Sequence, residues 1–136
     1  MAVLYQFQYF YEKGDEAEKI GNFEKAILNY ESTFEQLESL EKMGIPIGEL
    51  AKADIYDRIA FCCEMVKKYD EAKQYYTQAM LLAVTEAKET NEHKAYDSAI
   101  DYAWKLASFC EEFGDKEESE KYYILRSILI EEKEKL

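Results

Sequence analysis

The amino-acid sequence predicts an all-α protein, and three observations support this prediction. Small and aromatic residues recur at a constant spacing in three windows of the chain. Apolar residues inside these windows follow the period of an α-helix, near 3.6 residues. The 136 residues include only one proline and five glycines, which are too few for the many turns of an all-β fold. The length corresponds to one domain, and an apolar content of 48% is ample for its core.

The repeated spacing is clearest at one small residue and one tyrosine of each window. The equivalent positions are Ala26, Ala72 and Ser119 for the small residue, and Tyr30, Tyr76 and Tyr123 for the tyrosine. Successive members of each set are 46 and then 47 positions apart. A constant internal period indicates a stack of similar supersecondary units. Small residues let two helices approach closely and aromatic residues fill the gaps between them, so each window predicts one helical hairpin.

Helix boundaries follow from the periodic stripes and from the residues that interrupt them. The expected helices span residues 3–20, 23–42, 49–67, 70–89, 93–113 and 115–135. They pair into three antiparallel hairpins at residues 3–43, 48–89 and 93–135. The second helix has the clearest stripe, which consists of Phe23, Ile27, Tyr30, Phe34, Leu37 and Leu40.

Three of the remaining boundaries have local signals. The strongest helix-breaking segment is 43–48, which contains Gly44, Pro46 and Gly48. Residues 90–92 form the turn before the fifth helix. Asp115 and Glu118 have the spacing of a capping box at the start of the sixth helix.

The turn segments 21–26 and 67–72, Gly-Asn-Phe-Glu-Lys-Ala and Lys-Lys-Tyr-Asp-Glu-Ala, resemble the tetratricopeptide repeat. Segment 114–119 keeps the glycine but lacks the aromatic residue and has Ser119 in place of alanine. The period is 12 to 13 residues longer than the 34 of that family. The extra residues would lengthen both helices of each hairpin by about a turn and a half. The resemblance implies a right-handed superhelix that binds a segment of a partner protein on the face lined by the first helix of each hairpin.

Those first helices carry both carboxylates and large apolar side chains at positions expected to line a groove on this face. The candidate binding residues are Tyr11, Asp15, Asp54, Asp57, Phe61, Glu64, Met65, Asp101, Trp104 and Glu111. Charge complementarity then favours a partner segment with Lys or Arg beside apolar anchors. Lys19, Arg58 and Lys105 are the nearby cations, and a basic clamp for acidic peptide tails is not expected. Alternatively, Phe61 and Trp104 pack on neighbouring helices and the carboxylates are ordinary solvated faces.

The last helix offers a second candidate surface. Its apolar residues cover more than one stripe and include Ile124, Ile128, Leu129 and Ile130. This width has two interpretations: burial against the fifth helix, or an interface for a second copy or another protein. The alternative function is therefore that of a self-associating structural or regulatory subunit with no separate peptide ligand.

Composition argues against several other classes of protein. A net charge of −12 disfavours nucleic acid and anionic membranes as partners, because both require clustered Lys and Arg. No apolar run reaches 18 residues, and the first residues do not resemble a signal peptide, so we expect no membrane association and a cytoplasmic location. His93 is the only histidine and the three cysteines form no CxxC pair, so we expect no metal, no cofactor and no enzyme. We expect an adaptor, scaffold or chaperone.

Overall fold

The computed structural model describes the backbone of residues 2–136 and the side chains from Gln6 onward. Within that part of the chain there are six α-helices and no strand, which confirms the all-α prediction. The helices are α1 (Ala2–Lys19), α2 (Phe23–Lys42), α3 (Glu49–Met65), α4 (Tyr69–Thr90), α5 (His93–Phe113) and α6 (Lys116–Glu134). No helix of the described residues has both the length and the apolar character needed to cross a bilayer.

The expected bounds of α2 and α5 match the structure, whereas α3 ends two residues early. Lys67 adopts a left-handed backbone conformation with φ of 66°. The N–H of Lys68 then donates to the carbonyl of Cys63 at 2.8 Å, as in a helix-terminating Schellman turn. Because this turn is made by a lysine rather than a glycine, the residue types alone did not mark it.

The expected capping box at the start of α6 does not form. Asp115 does cap the helix, but its carboxylate accepts the backbone N–H of Glu117 at 2.8 Å. The side chain of Glu118 instead forms an ion pair with Lys73 of α4 and accepts a hydrogen bond from the thiol of Cys110 of α5. The carboxylate that the local pattern assigns to the cap therefore contacts side chains of α4 and α5 instead.

The helices pack mainly on their neighbours in the chain. The most extensive contacts join α1 to α2, α3 to α4, and α5 to α6, and further contacts join α2 to α3 and α4 to α5. Within the first pair, the fully buried ring of Tyr30 lies so close to Gly14 that an added Cβ would be 2.6 Å from its Cε1. Ala60 and Ala107, at the equivalent repeat positions, are also fully buried. These small residues permit the close approach that the pattern predicts.

A tyrosine–glutamate hydrogen bond links the two helices of each pair. The donor–acceptor pairs are Tyr30 to Glu18 at 2.9 Å, Tyr76 to Glu64 at 2.9 Å, and Tyr123 to Glu111 at 2.8 Å. Donor and acceptor are twelve residues apart each time, and the three glutamates keep the spacings of 46 and 47. The internal repeat is therefore present in the hydrogen bonding as well as in the packing.

One of the four apolar residues proposed for self-association through the last helix lies in the core. Leu129 is fully buried and belongs to the central apolar cluster, so its assignment to a self-association surface is wrong. Ile124 and Ile128 are exposed, and Ile130 is half-buried. Part of the wide apolar set of α6 therefore packs inward, as the first interpretation predicts, and part of it faces solvent.

Candidate functional site

A cavity of about 600 Å³ opens between α1, α3 and α5, and α4 contributes one residue to its wall. We call this cavity the groove. Its lining residues are Glu18, Asp54, Asp57, Arg58, Phe61, Glu64, Tyr76, Trp104, Lys105, Ser108, Phe109 and Glu112. Five carboxylates, two cations and four aromatic side chains therefore share one concave surface. A volume of this size falls within the range of ordinary ligand sites in proteins.

The groove brings together half of the residues that the sequence selected. Asp54, Asp57, Phe61, Glu64 and Trp104 line it. The structure places Tyr11, Asp15, Met65, Asp101 and Glu111 outside its lining. Of these, Met65 is exposed on α3 and Glu111 accepts the hydroxyl proton of Tyr123. Asp101 lines a separate, smaller cavity of about 210 Å³, to which Trp104 also contributes.

Phe61 and Trp104 give the groove its exposed apolar surface. Phe61 is 40% exposed and Trp104 is 47% exposed. Phe61 also meets the ring of Phe23 of α2 edge-on at 6.1 Å, so it contributes to helix packing as well. The buried ring of Phe109 lies behind this surface, 5.5 Å from Tyr76. Rigid aromatic side chains of this kind supply contact area with little loss of conformational entropy.

Arg58 links α3 to both helices of the first pair. Its Nη1 lies 3.4 Å from Asp15 of α1 and donates to the hydroxyl of Tyr30 of α2 at 3.3 Å. Glu18 lies 3.9 Å from the same nitrogen, and the guanidinium stacks over the half-buried Tyr11 at 5.2 Å. Asp15 and Tyr11 therefore contribute to this ion-pair and cation–π cluster rather than to the surface of the groove. The sequence predicts Arg58 only as a nearby cation, whereas in the structure it joins three helices.

Lys105 makes the corresponding link from α5 to α3. Its Nζ lies 2.9 Å from Oδ2 of Asp57 and 3.4 Å from Asp101. The side chain of Asp57 is only 14% exposed, and its Oδ1 is buried without a hydrogen-bond partner. Burial raises the pKa of this carboxyl above its usual value, although Lys105 acts in the opposite direction. Asp57 is therefore engaged in joining two helices.

A repeat signal in the sequence identifies both cations. Arg58 and Lys105 are 47 positions apart, which is the spacing between the second and third repeats. Each has an aspartate four residues earlier on its own helix, Asp54 at 3.6 Å and Asp101 at 3.4 Å. Aligning the second and third repeats places the two cations at equivalent positions.

The described residues contain no cluster of side chains suited to a metal ion. No group of three or more His, Cys, Asp or Glu side chains is placed to hold an ion among the residues searched. Cys62, Cys63 and Cys110 are buried and free. Burial raises the pKa of Cys62 to about 12 and that of Cys63 to about 11, so both are protonated thiols at neutral pH.

Comparisons with known proteins give little further information. No protein-family model matches the chain. No curated protein matches it significantly. The chain is similar to a solved structure titled "Crystal structure of MamA protein", with 18% sequence identity over 96% of this chain and 94% of that chain, at a TM-score of 0.25. A superposition this loose does not establish a shared function.

Proposed function

We propose that this chain is a protein–protein interaction module that holds a segment of a partner protein in the groove. The observation that carries this proposal is that two exposed aromatic side chains, Phe61 and Trp104, share one concave surface with five carboxylates. Exposed aromatic residues in a concavity supply anchoring energy, and the surrounding charge supplies specificity. The partner segment would carry apolar residues for the aromatic surface and Lys or Arg for the carboxylates.

The architecture that we infer is of the tetratricopeptide type. In this arrangement the three helix pairs are antiparallel hairpins at residues 3–43, 48–89 and 93–135, stacked as a right-handed superhelix. Pairwise packing along the chain and the tyrosine–glutamate bond repeated in every pair support this inference. Such stacks present an extended concave surface, which suits a peptide better than a small molecule.

Binding rather than catalysis is part of the proposal. The buried carboxylate of the groove, Asp57, is bound to Lys105, and neither residue is free to transfer a proton to a ligand without losing that contact. Three buried thiols are compatible with a reducing compartment, which supports a cytosolic adaptor, scaffold or chaperone. The net charge of −12 favours a basic protein segment over nucleic acid.

Trp104 is the only tryptophan of the chain, so its fluorescence reports on the groove directly. We would screen basic and apolar peptides of twelve residues and measure the change in tryptophan emission together with the heat of binding. Phe61→Ala should weaken binding of the selected peptides by about tenfold, because a partly exposed aromatic anchor is lost. Leu81→Ala is the matched control, because this exposed side chain lies outside the groove. The proposal fails if no peptide binds, or if both variants bind equally well.

A second candidate is self-association through α6. Ile124 and Ile128 are exposed and lie one helical turn apart, which gives a short apolar surface. Sedimentation velocity of the wild-type protein and of Ile128→Glu tests it directly. Self-association requires a dimer that the substitution dissociates, whereas a monomeric wild-type protein excludes it.

A further inference from the structure

The cations of the groove divide its carboxylates into two groups. Glu18, Asp54 and Asp57 each lie within ion-pair distance of Arg58 or Lys105. Glu64 and Glu112 line the same groove, but neither forms an ion pair with any side chain that the structure describes. We propose that Glu64 and Glu112 bind a lysine or arginine of the partner segment, and that the aspartates maintain the shape of the groove. This inference rests on the proposed function and names the residues that select the partner.

The paired carboxylates are poor acceptors for an incoming cation. A lysine that approached Asp57 would meet the ammonium group of Lys105, which is already 2.9 Å from Oδ2. Near Asp54 the same lysine would meet the guanidinium of Arg58. Repulsion between like charges offsets the attraction at both places. Arg58 and Lys105 therefore offset part of the negative charge in their part of the groove.

Glu64 is instead held in position for a ligand. Its Oε1 accepts the hydroxyl proton of Tyr76 at 2.9 Å, and Tyr76 is buried. This bond fixes the carboxylate and leaves its charge uncompensated. A cation that binds there recovers a charge-assisted hydrogen bond without displacing another cation.

The repeat explains why such a site occurs once. Glu18, Glu64 and Glu111 are equivalent and all accept a tyrosine hydroxyl. Glu18 lies beside Arg58, and Glu111 lies outside the lining of the groove. Of the three, Glu64 is the one that lines the groove without a cation. Glu112 has no acidic counterpart, because residues 65 and 19 are methionine and lysine.

The arrangement also sets the chemistry of the partner segment. Glu64 and Glu112 share the groove with the exposed aromatic residues Phe61 and Trp104. A single bound segment would therefore place its cation on the glutamates and an apolar residue on the aromatic surface. This pattern differs from a segment with many positive charges, which would also meet Arg58 and Lys105 in the other part of the groove.

The test uses two matched sets of peptides and the full chain. The first set contains twelve-residue peptides with one lysine and one leucine at every relative spacing in a Ser–Ala background. The second set replaces the lysine by acetyl-lysine, which removes its charge. Fluorescence anisotropy measures the affinity of each peptide for the wild type, for Glu64→Gln/Glu112→Gln, and for the control Glu120→Gln/Glu131→Gln, which makes the same change of charge at exposed positions of α6.

We expect the wild type and the control to bind the best lysine peptides about tenfold more tightly than their acetylated counterparts. The Glu64→Gln/Glu112→Gln variant should lose this preference. The glutamine at position 64 can still accept a hydrogen bond from the hydroxyl of Tyr76, so we expect the fold to be retained. Circular dichroism melts check that retention. If the variant keeps the preference, or the control also loses it, the assignment of the two glutamates is wrong. If the wild type binds both sets equally, the assignment fails while the interaction function stands. If neither set binds, both fail.

Discussion

Replacing Lys105 by methionine should destabilise the fold, because it leaves the buried carboxylate of Asp57 without its hydrogen-bond donor. Oδ2 of Asp57 is 2.9 Å from the lysine Nζ, and Oδ1 has no partner. Methionine keeps most of the length and the apolar stem of lysine, so the substitution removes mainly the charge and the hydrogen bond.

The structure sets the size of the expected effect. A hydrogen bond to a charged group contributes about 2 kcal/mol, and Asp57 is sufficiently buried that water replaces it only in part. The entropy of unfolding scales with chain length, so for 136 residues this loss corresponds to a fall in Tm of about 7 °C. The assay is thermal and urea unfolding, followed by circular dichroism at 222 nm.

The penalty should also depend on pH in a defined direction. Burial places the pKa of Asp57 above its unfolded value, and the loss of Lys105 raises it further because the lysine had lowered it. The folded protein then binds more protons than the unfolded chain in the interval between the two pKa values. Stability therefore falls as pH rises through that interval. The destabilisation by Lys105→Met, relative to the wild type at each pH, should be larger at pH 8 than at pH 5.5.

Lys133→Met is the matched control. Lys105 and Lys133 are equally exposed, at 34%, and Lys133 is 2.6 Å from Asp97. The carboxylate of Asp97 is 58% exposed, so water can replace the lysine, and we expect a loss below about 0.5 kcal/mol. The reasoning is refuted if the two variants lose equal stability. It is also refuted if the penalty for Lys105→Met grows as pH falls.

Two further predictions concern a helix cap and the last helix, and urea unfolding measures both. Asn22→Ala should cost about 1 kcal/mol, because the asparagine side chain accepts the N–H of Lys25 at the start of α2; an unchanged midpoint would show that this cap contributes nothing. Leu129→Ala should cost about 3 kcal/mol because it opens a cavity in the core, whereas Ile128→Ala should cost less than about 1 kcal/mol. Equal losses at these two adjacent positions would contradict the burial described for α6.

Much of the secondary structure could be predicted from the sequence because its signals are local. The bounds of α2 and α5 match the structure, since apolar periodicity and clear breakers define both. The end of α3 was missed because a lysine rather than a glycine takes the left-handed conformation at position 67. The cap of α6 was only half predicted, because Glu118 pairs with Lys73 of another helix.

The candidate site was less predictable, because it depends on contacts between helices. Residue type marked Phe61, Met65 and Trp104 as large apolar side chains of the groove, and Phe61 and Trp104 line the cavity. It did not show that Asp57 is bound to Lys105 or that Arg58 reaches α1 and α2. These contacts depend on how each helix is rotated about its axis and on how far it lies from its neighbours. No pattern within a single helix contains that information.

The sequence alone determined the all-α class and the spacing of the repeat, because both follow from the period of apolar residues and from the positions of small and aromatic residues along the chain. Only the tertiary structure decided which carboxylates of the groove are paired with a cation. Arg58 of α3 reaches Asp15 of α1, and Lys105 of α5 reaches Asp57 of α3. This packing leaves Glu64 and Glu112 without a cation. The physical reason is that an electrostatic interaction depends on distance and on burial in three dimensions, and neither can be obtained from the order of residues in the chain.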